Sequence, residues 1–355
     1  MESVEPNEVL EVSPLWMVSQ APTLNELVMA LKRARIELET GTFGGRLVFS
    51  RVQLAQARAE FGAMIRRGEK DLHALAGLLA QELLGTYALR SSAIGEIERT
   101  RERFTLTIDV SEQEVAGSTD LDLGTRILAR LAIADHRGWM RAVLVSNVVE
   151  YEPAGPTALN VYRILTRIKA EEEIWNKVVD ELFDLDRIVL KDKQLRHLGR
   201  YVKDVFGIKI VVGVDDDARR LQAHLASLSF SEERLSDRGL PGNEKHARLE
   251  VVETKDYLER PSRKQSGWSA LKSVVRWADR TFEIQVQPLS NFLHEREKLT
   301  RESHASFKST RERVRDEVAE RLPLFGFYRA LLRWLFLDPS SDAPHQEGVE
   351  VILVD

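Results

Sequence analysis

The apolar run Gly207-Ile-Lys-Ile-Val-Val-Gly-Val214 constrains the fold of this chain more than any other segment. Its β-branched residues and its short length between turn-forming neighbours suit a strand at the centre of a sheet. Asp215 to Leu228 then reads as a helix, and Arg248 to Glu253, Ala270 to Trp277 and Thr281 to Gln287 read as three more strands. The last two form a hairpin around Ala278-Asp279-Arg280. The class expected is α+β, with a mixed sheet flanked by helices.

The residues before this sheet read as a mainly helical α+β domain over 1–152. Thr23 and Glu26 have capping-box spacing and open a helix that stops near Gly41. Ser50 and Gln53 open a second helix expected to end at Gly68, and a third runs from about Lys70 to Gly85. From Phe104 to Val110 the apolar residues alternate, which is the pattern of a half-buried strand. Asp122 to Asp135 is expected to be helical and Met140 to Val149 a strand. The Glu152-Pro-Ala-Gly-Pro156 stretch marks the expected domain boundary. A second domain over 157–321 would open with helices at Thr157 to Leu182 and Leu195 to Val205, and close with a long charged helix from Ser290 to Arg321.

With 355 residues, 43% hydrophobic and 30% charged, the chain has ample material for two cores. A net charge of −5 gives no global positive field, so any site for a polyanion must be local. The absence of cysteine excludes disulfides, thiolate catalysis and cysteine-ligated zinc. Neither a signal peptide nor a membrane span is expected, and cytoplasm is the expected compartment. In the third segment, 322–355, the apolar stretch Leu324 to Leu337 admits two readings. It packs back on the fold, or it is a helix for a protein partner or a membrane surface.

Two carboxylates stand out. Asp204 precedes the central strand, and Glu283 shares one strand face with Gln285 and Gln287. Acidic groups at strand edges of one sheet suit magnesium, which prefers oxygen ligands and shares them with phosphates. Arg167, Lys169, Lys177 and Lys255 are cations that together would neutralise a triphosphate. His73, His136 and His197 are isolated in sequence and read as packed or surface residues, and Gly44-Gly45 reads as a turn.

In order along the chain stand Arg167-Ile-Lys169, Asp204-Val-Phe-Gly-Ile-Lys209, Lys255-Asp-Tyr-Leu258, Gly267-Trp-Ser-Ala-Leu-Lys272, Glu283-Ile-Gln-Val-Gln287 and His304-Ala-Ser-Phe-Lys308. This series, over about Val161 to Lys308, resembles the synthetase domain of the RelA/SpoT family, nucleotidyltransferases that move pyrophosphate from ATP to a guanine nucleotide. The resemblance implies that Asp204 and Glu283 hold magnesium and carry catalysis, with Glu283 helping to activate the acceptor 3′-hydroxyl. It implies that Arg167, Lys169, Lys177 and Lys209 bind ATP. Lys255, Trp268, Lys272, Gln285 and His304 would bind the guanine nucleotide, Trp268 by stacking. The partners implied are ATP and GDP, GTP or an RNA 3′ end.

Several positions depart from the family pattern. Glu173 replaces a serine beside the ATP phosphates, Lys209 an arginine, Ala270 a serine, Lys272 a histidine and Gln287 an arginine. No His-Asp dipeptide occurs, so the pyrophosphate-removing chemistry of the family is not expected. Two functions follow as expectations: magnesium-dependent pyrophosphoryl transfer, or a nucleotide- or protein-binding module that kept the scaffold and lost the ATP clamp.

Overall fold

The computed structural model describes residues 14–97, 99–100, 102–131, 133–135, 138–168, 171–183, 205–259, 268–301, 315–337 and 342–355. Its helices are α1 (Pro14–Ser19), α2 (Pro22–Thr40), α3 (Arg51–Leu84), α4 (Glu112–Ala116), α5 (Asp120–Leu128), α6 (Glu171–Leu182), α7 (Asp215–Ser227), α8 (Glu232–Asp237), α9 (Glu244–Ala247), α10 (Leu289–Arg301) and α11 (Pro323–Phe336). Residues 315–321 are also helical. The strands are β1 (Arg46–Ser50), β2 (Tyr87–Ile97), β3 (Arg103–Asp109), β4 (Ile133–Asp135), β5 (Gly138–Met140), β6 (Ala142–Pro153), β7 (Val161–Ile168), β8 (Phe206–Val212), β9 (Glu250–Asp256), β10 (Leu271–Trp277), β11 (Arg280–Pro288) and β12 (Glu350–Val354). No helix among the described residues is long and apolar enough to cross a membrane.

The chain divides into two compact units, one of residues 1–65, 169–204 and 302–355, the other of 66–168 and 205–301. In the first, α2, the start of α3, α6 and α11 share an apolar core. Trp175 of α6 stacks on Phe336 at 3.8 Å and lies 4.8 Å from Phe61. Tyr328 donates to the Leu31 carbonyl at 2.7 Å, and Arg58 Nε donates to the Leu335 carbonyl at 2.7 Å, near the negative end of α11. Phe325, Phe327, Tyr328, Leu331, Leu332, Trp334, Leu335 and Phe336 are all buried, so the 324–337 stretch is a core helix and its apolar face is not left for a partner. β12 pairs in parallel with β1.

The second unit is built on an eight-stranded mixed sheet of order β3-β2-β6-β7-β8-β11-β10-β9. β8 and β11 are parallel and the other neighbours antiparallel. One face carries Ile208, Ile210 and Val212 beside Phe282, Ile284 and Val286, all buried. α7 packs on β8, β10 and β11, and α5 packs on β2, β3 and β6 through Ile127 and Leu128 against Ala93, Phe104 and Leu144. The β10–β11 turn holds Ala278 and Asp279 at φ 52 and 63, the left-handed pair that a two-residue hairpin of matching twist demands.

The boundary expected at 152–156 lies inside this sheet. β6 and β7 flank it and pair through Glu150↔Leu165 and Tyr151↔Ile164, so the Pro-Gly stretch is a connection between neighbouring strands. Strands expected in a separate 1–152 domain therefore share a sheet with those expected in the 157–321 domain. The helix expected from Thr157 is instead β7 followed by α6. Val161, Ile164, Leu165 and Ile168 fall at helical spacing, but the segment is rich in β-branched residues that fit a pleated strand. The helix expected over 122–135 is α5, ending at Leu128 and followed by β4. The helix expected at Leu195 to Val205 lies outside the described residues but for Val205.

Two end signals also differ. Thr23 is no cap: its hydroxyl donates to Glu60 at 2.7 Å, while Ala21 precedes α2 and Pro22 opens it. Gly68 ends nothing, because α3 continues through it to Leu84. A Cβ at Gly68 would lie 2.1 Å from the Phe206 ring, so glycine serves there to let α3 approach β8. Gly68→Ala is expected to destabilise the protein by about 1–3 kcal/mol through displacement of that ring. Urea unfolding monitored by circular dichroism checks this; stability equal to wild type would mean the approach is not tight.

Candidate functional site

Because opposed residues in a sheet share a face, the strand register places the expected site residues relative to one another. Lys255, Lys272, Gln285 and Lys209 stand opposite one another in a continuous row across β9, β10, β11 and β8. The neighbouring row runs Val274, Glu283, Gly207, Arg167 across β10, β11, β8 and β7. All eight positions lie on the face opposite the Ile208, Ile210, Phe282 and Ile284 side chains. Gly207 offers no side chain between Glu283 and Arg167, which leaves a gap about two strand spacings, or ~9.5 Å, wide. Arg167 is a strand residue here and not a helical one, and it is exposed.

Charge on this face is paired in three groups. Glu283, only 2% exposed, forms an ion pair with Lys272 and accepts a hydrogen bond from Gln285. Such burial of a carboxylate is tolerated because a cation and a donor compensate its lost hydration. Lys209 reaches Glu295 of α10 at 2.8 Å, and Gln287 Nε2 donates to Glu295 at 3.0 Å and to Asn291 at 2.5 Å. Burial pushes the Glu295 carboxyl up, but the charge and hydrogen bond of Lys209, the hydrogen bond of Gln287 and the charge of Arg167 outweigh it. The net result is a carboxyl held below its ordinary range. Lys255 pairs with Glu253 at 2.8 Å on the sheet's outer strand.

Trp268, just before β10, is half-buried, with its ring 5.6 Å from that of Tyr257. Ala270 is fully buried. Lys177 belongs elsewhere: it is 3% exposed within the first unit, where its charge acts on Asp180. Burial pushes the Asp180 carboxyl up against the opposing effect of Arg315, 3.0 Å away, and of Lys177 and Arg329. That environment, not a phosphate, accounts for Lys177. Asp204, Lys169, His304, His136, His197 and the side chain of Glu173 lie outside the described residues.

One group escaped the sequence reading because its members are far apart in the chain. Glu69 and His73 stand four residues apart on α3 and so share a helix face. Asp120, the first residue of α5, meets both: His73 Nε2 lies 2.9 Å from Asp120 Oδ1, and the Asp120 amide donates to the Glu69 carboxylate. All three are buried, and one ligand atom from each falls within 4.8 Å of the others. Burial pushes the Glu69 carboxyl up to about 7, with the Asp120 amide opposing and the Asp120 charge reinforcing the shift. The Glu-x-x-x-His spacing was the available signal; the third member is supplied by the tertiary fold.

Compared with protein-family models and with curated proteins, the chain matches none.

Proposed function

We propose that the polar sheet face around Glu283 binds nucleotides and transfers pyrophosphate from ATP to the 3′-hydroxyl of a guanine nucleotide or a related RNA end, on a RelA/SpoT-like scaffold. The observation that carries this reading is the register itself. It puts Arg167, Lys209, Glu283, Gln285, Lys272 and Lys255 on one face, although Arg167 and Lys255 lie 88 positions apart in the chain. In the reaction the acceptor oxygen attacks the β-phosphorus of ATP, the bond to the α-phosphate oxygen breaks, AMP leaves, and the hydroxyl proton passes to Glu283 or solvent. Arg167 and Lys209 would neutralise phosphate charge, and positioning would supply most of the acceleration.

Magnesium suits Glu283 as an oxygen donor, and would supply charge neutralisation on the transferred phosphates. To hold it, Glu283 would have to give up its ion pair with Lys272. That same pair favours a second reading, in which the face binds a nucleotide without transferring it. Incubating the protein with γ-labelled ATP, magnesium and GDP, GTP or RNA separates the two. Label on the acceptor supports transfer. No label from folded protein that still binds guanine nucleotide supports the binding module.

The half-buried Trp268 would supply the stacking surface for the guanine base. Trp268→Ala is expected to weaken guanine-nucleotide binding by about 1–3 kcal/mol, the range for a base stacked on an aromatic ring. Titration calorimetry with GDP measures it, and unchanged affinity would remove Trp268 from the site.

A further inference from the structure

We propose that Glu69, His73 and Asp120 form a buried binding site for a divalent transition-metal ion of the zinc class, separate from the polar sheet face. The donor set is one imidazole and two carboxylates. A nitrogen donor disfavours magnesium and calcium, which take oxygen, while zinc accepts imidazole and carboxylate together. Two carboxylates and a neutral imidazole bring a doubly charged ion to zero net charge. That balance matters in a site where Glu69, His73 and Asp120 are only 5%, 6% and 5% exposed.

The second observation is independent of the donor count. Asp120 Oδ2 and His73 Nδ1 are buried and have no hydrogen-bond partner among the described residues. Buried polar atoms are nearly always satisfied, and one left alone costs stability. Coordination by zinc would explain the Asp120 atom. Asp120 gains a partner for its second oxygen, and His73 binds the ion through Nε2, the nitrogen that already faces Asp120, in place of the hydrogen bond between them.

The geometry needs little change. Ligands about 2.0–2.2 Å from a tetrahedral ion sit about 3.4 Å from one another. The His73–Asp120 separation of 2.9 Å is already close, and the limit of 4.8 Å for the whole set leaves a contraction that side-chain rotation can supply. Glu69 and His73 are set by one helix and Asp120 by the capped first turn of another, so the donors rest on rigid backbone. Glu69 can keep one oxygen on the Asp120 amide and turn the other to the ion. Three protein ligands leave a fourth position for water or a small anion.

The test uses the full chain, unfolded in chelator and refolded with or without zinc, then freed of excess metal on a chelating resin. Bound zinc is counted by mass spectrometry of the elements, and thermal unfolding is followed by circular dichroism. The expected result is about one zinc per chain and a midpoint raised by at least about 3 °C, both lost in His73→Gln. Cobalt in place of zinc should give the visible absorption of a four-coordinate ion in the wild type alone. Should His73→Gln not fold, Asp120→Asn replaces it, with the same loss expected. Wild-type protein that retains no zinc and melts at the same temperature either way overturns the proposal. So does a folded variant that retains zinc as the wild type does.

Discussion

Glu283→Gln is expected to lower pyrophosphoryl transfer at least a hundredfold while leaving guanine-nucleotide affinity within about threefold. The glutamine keeps the volume and the hydrogen bond from Gln285 but removes the negative oxygen that would hold a cation. A metal's stabilisation of developing charge is several kcal/mol, and each 1.36 kcal/mol is a factor of ten in rate. The substitution also leaves Lys272 without its anion, so a folding control by circular dichroism accompanies the assay. Transfer at the wild-type rate in folded Glu283→Gln would exclude Glu283 from the chemistry.

The largest effect on stability is expected from Trp175→Ala, at about 3–5 kcal/mol. Trp175 is 2% exposed and packs on both Phe336 and Phe61, so truncation opens a cavity walled by three elements, α3, α6 and α11. Rings that stack at such distances add to the area they bury. The loss would appear as a lower urea midpoint by fluorescence or circular dichroism. A cost below about 1 kcal/mol would mean that α11 is not part of the core, and would reopen the 324–337 stretch as a docking helix.

What the sequence disclosed follows from the range over which each signal acts. The Phe282-Glu283-Ile284-Gln285-Val286 alternation is local, has period two, and placed Glu283 with Gln285 and Gln287 on one face as the structure has them. The β8 strand and α7 were equally legible, since an apolar run followed by an acidic first turn is read within a few residues. β7 was hidden because its apolar residues satisfy the helical period by chance while β6 and β8, distant in sequence, supply its hydrogen bonds. Gly68 misled because a glycine signals either a helix end or a close approach, and only Phe206 across the core decides which.

The same distinction governs the candidate sites. Arg167, Lys209, Lys255 and Lys272 are unremarkable cations in the chain, and only the strand order makes them neighbours on one face. Lys177 stands two helical turns after 169 in sequence, yet its burial with Asp180 places it in a different unit. His73 is isolated in sequence because nothing near it announces Asp120, which the fold brings to it from the start of α5.

Photo-crosslinking with an azido-substituted GTP, followed by peptide mapping, tests most directly whether the polar face of the eight-stranded sheet is a nucleotide site, as proposed. Label is expected on peptides from residues 250–292, which contain Lys255, Trp268, Lys272 and Glu283, and is expected to be lost when unmodified GTP competes. Competed label confined to other parts of the chain, or no competed label on folded protein, would contradict the proposal.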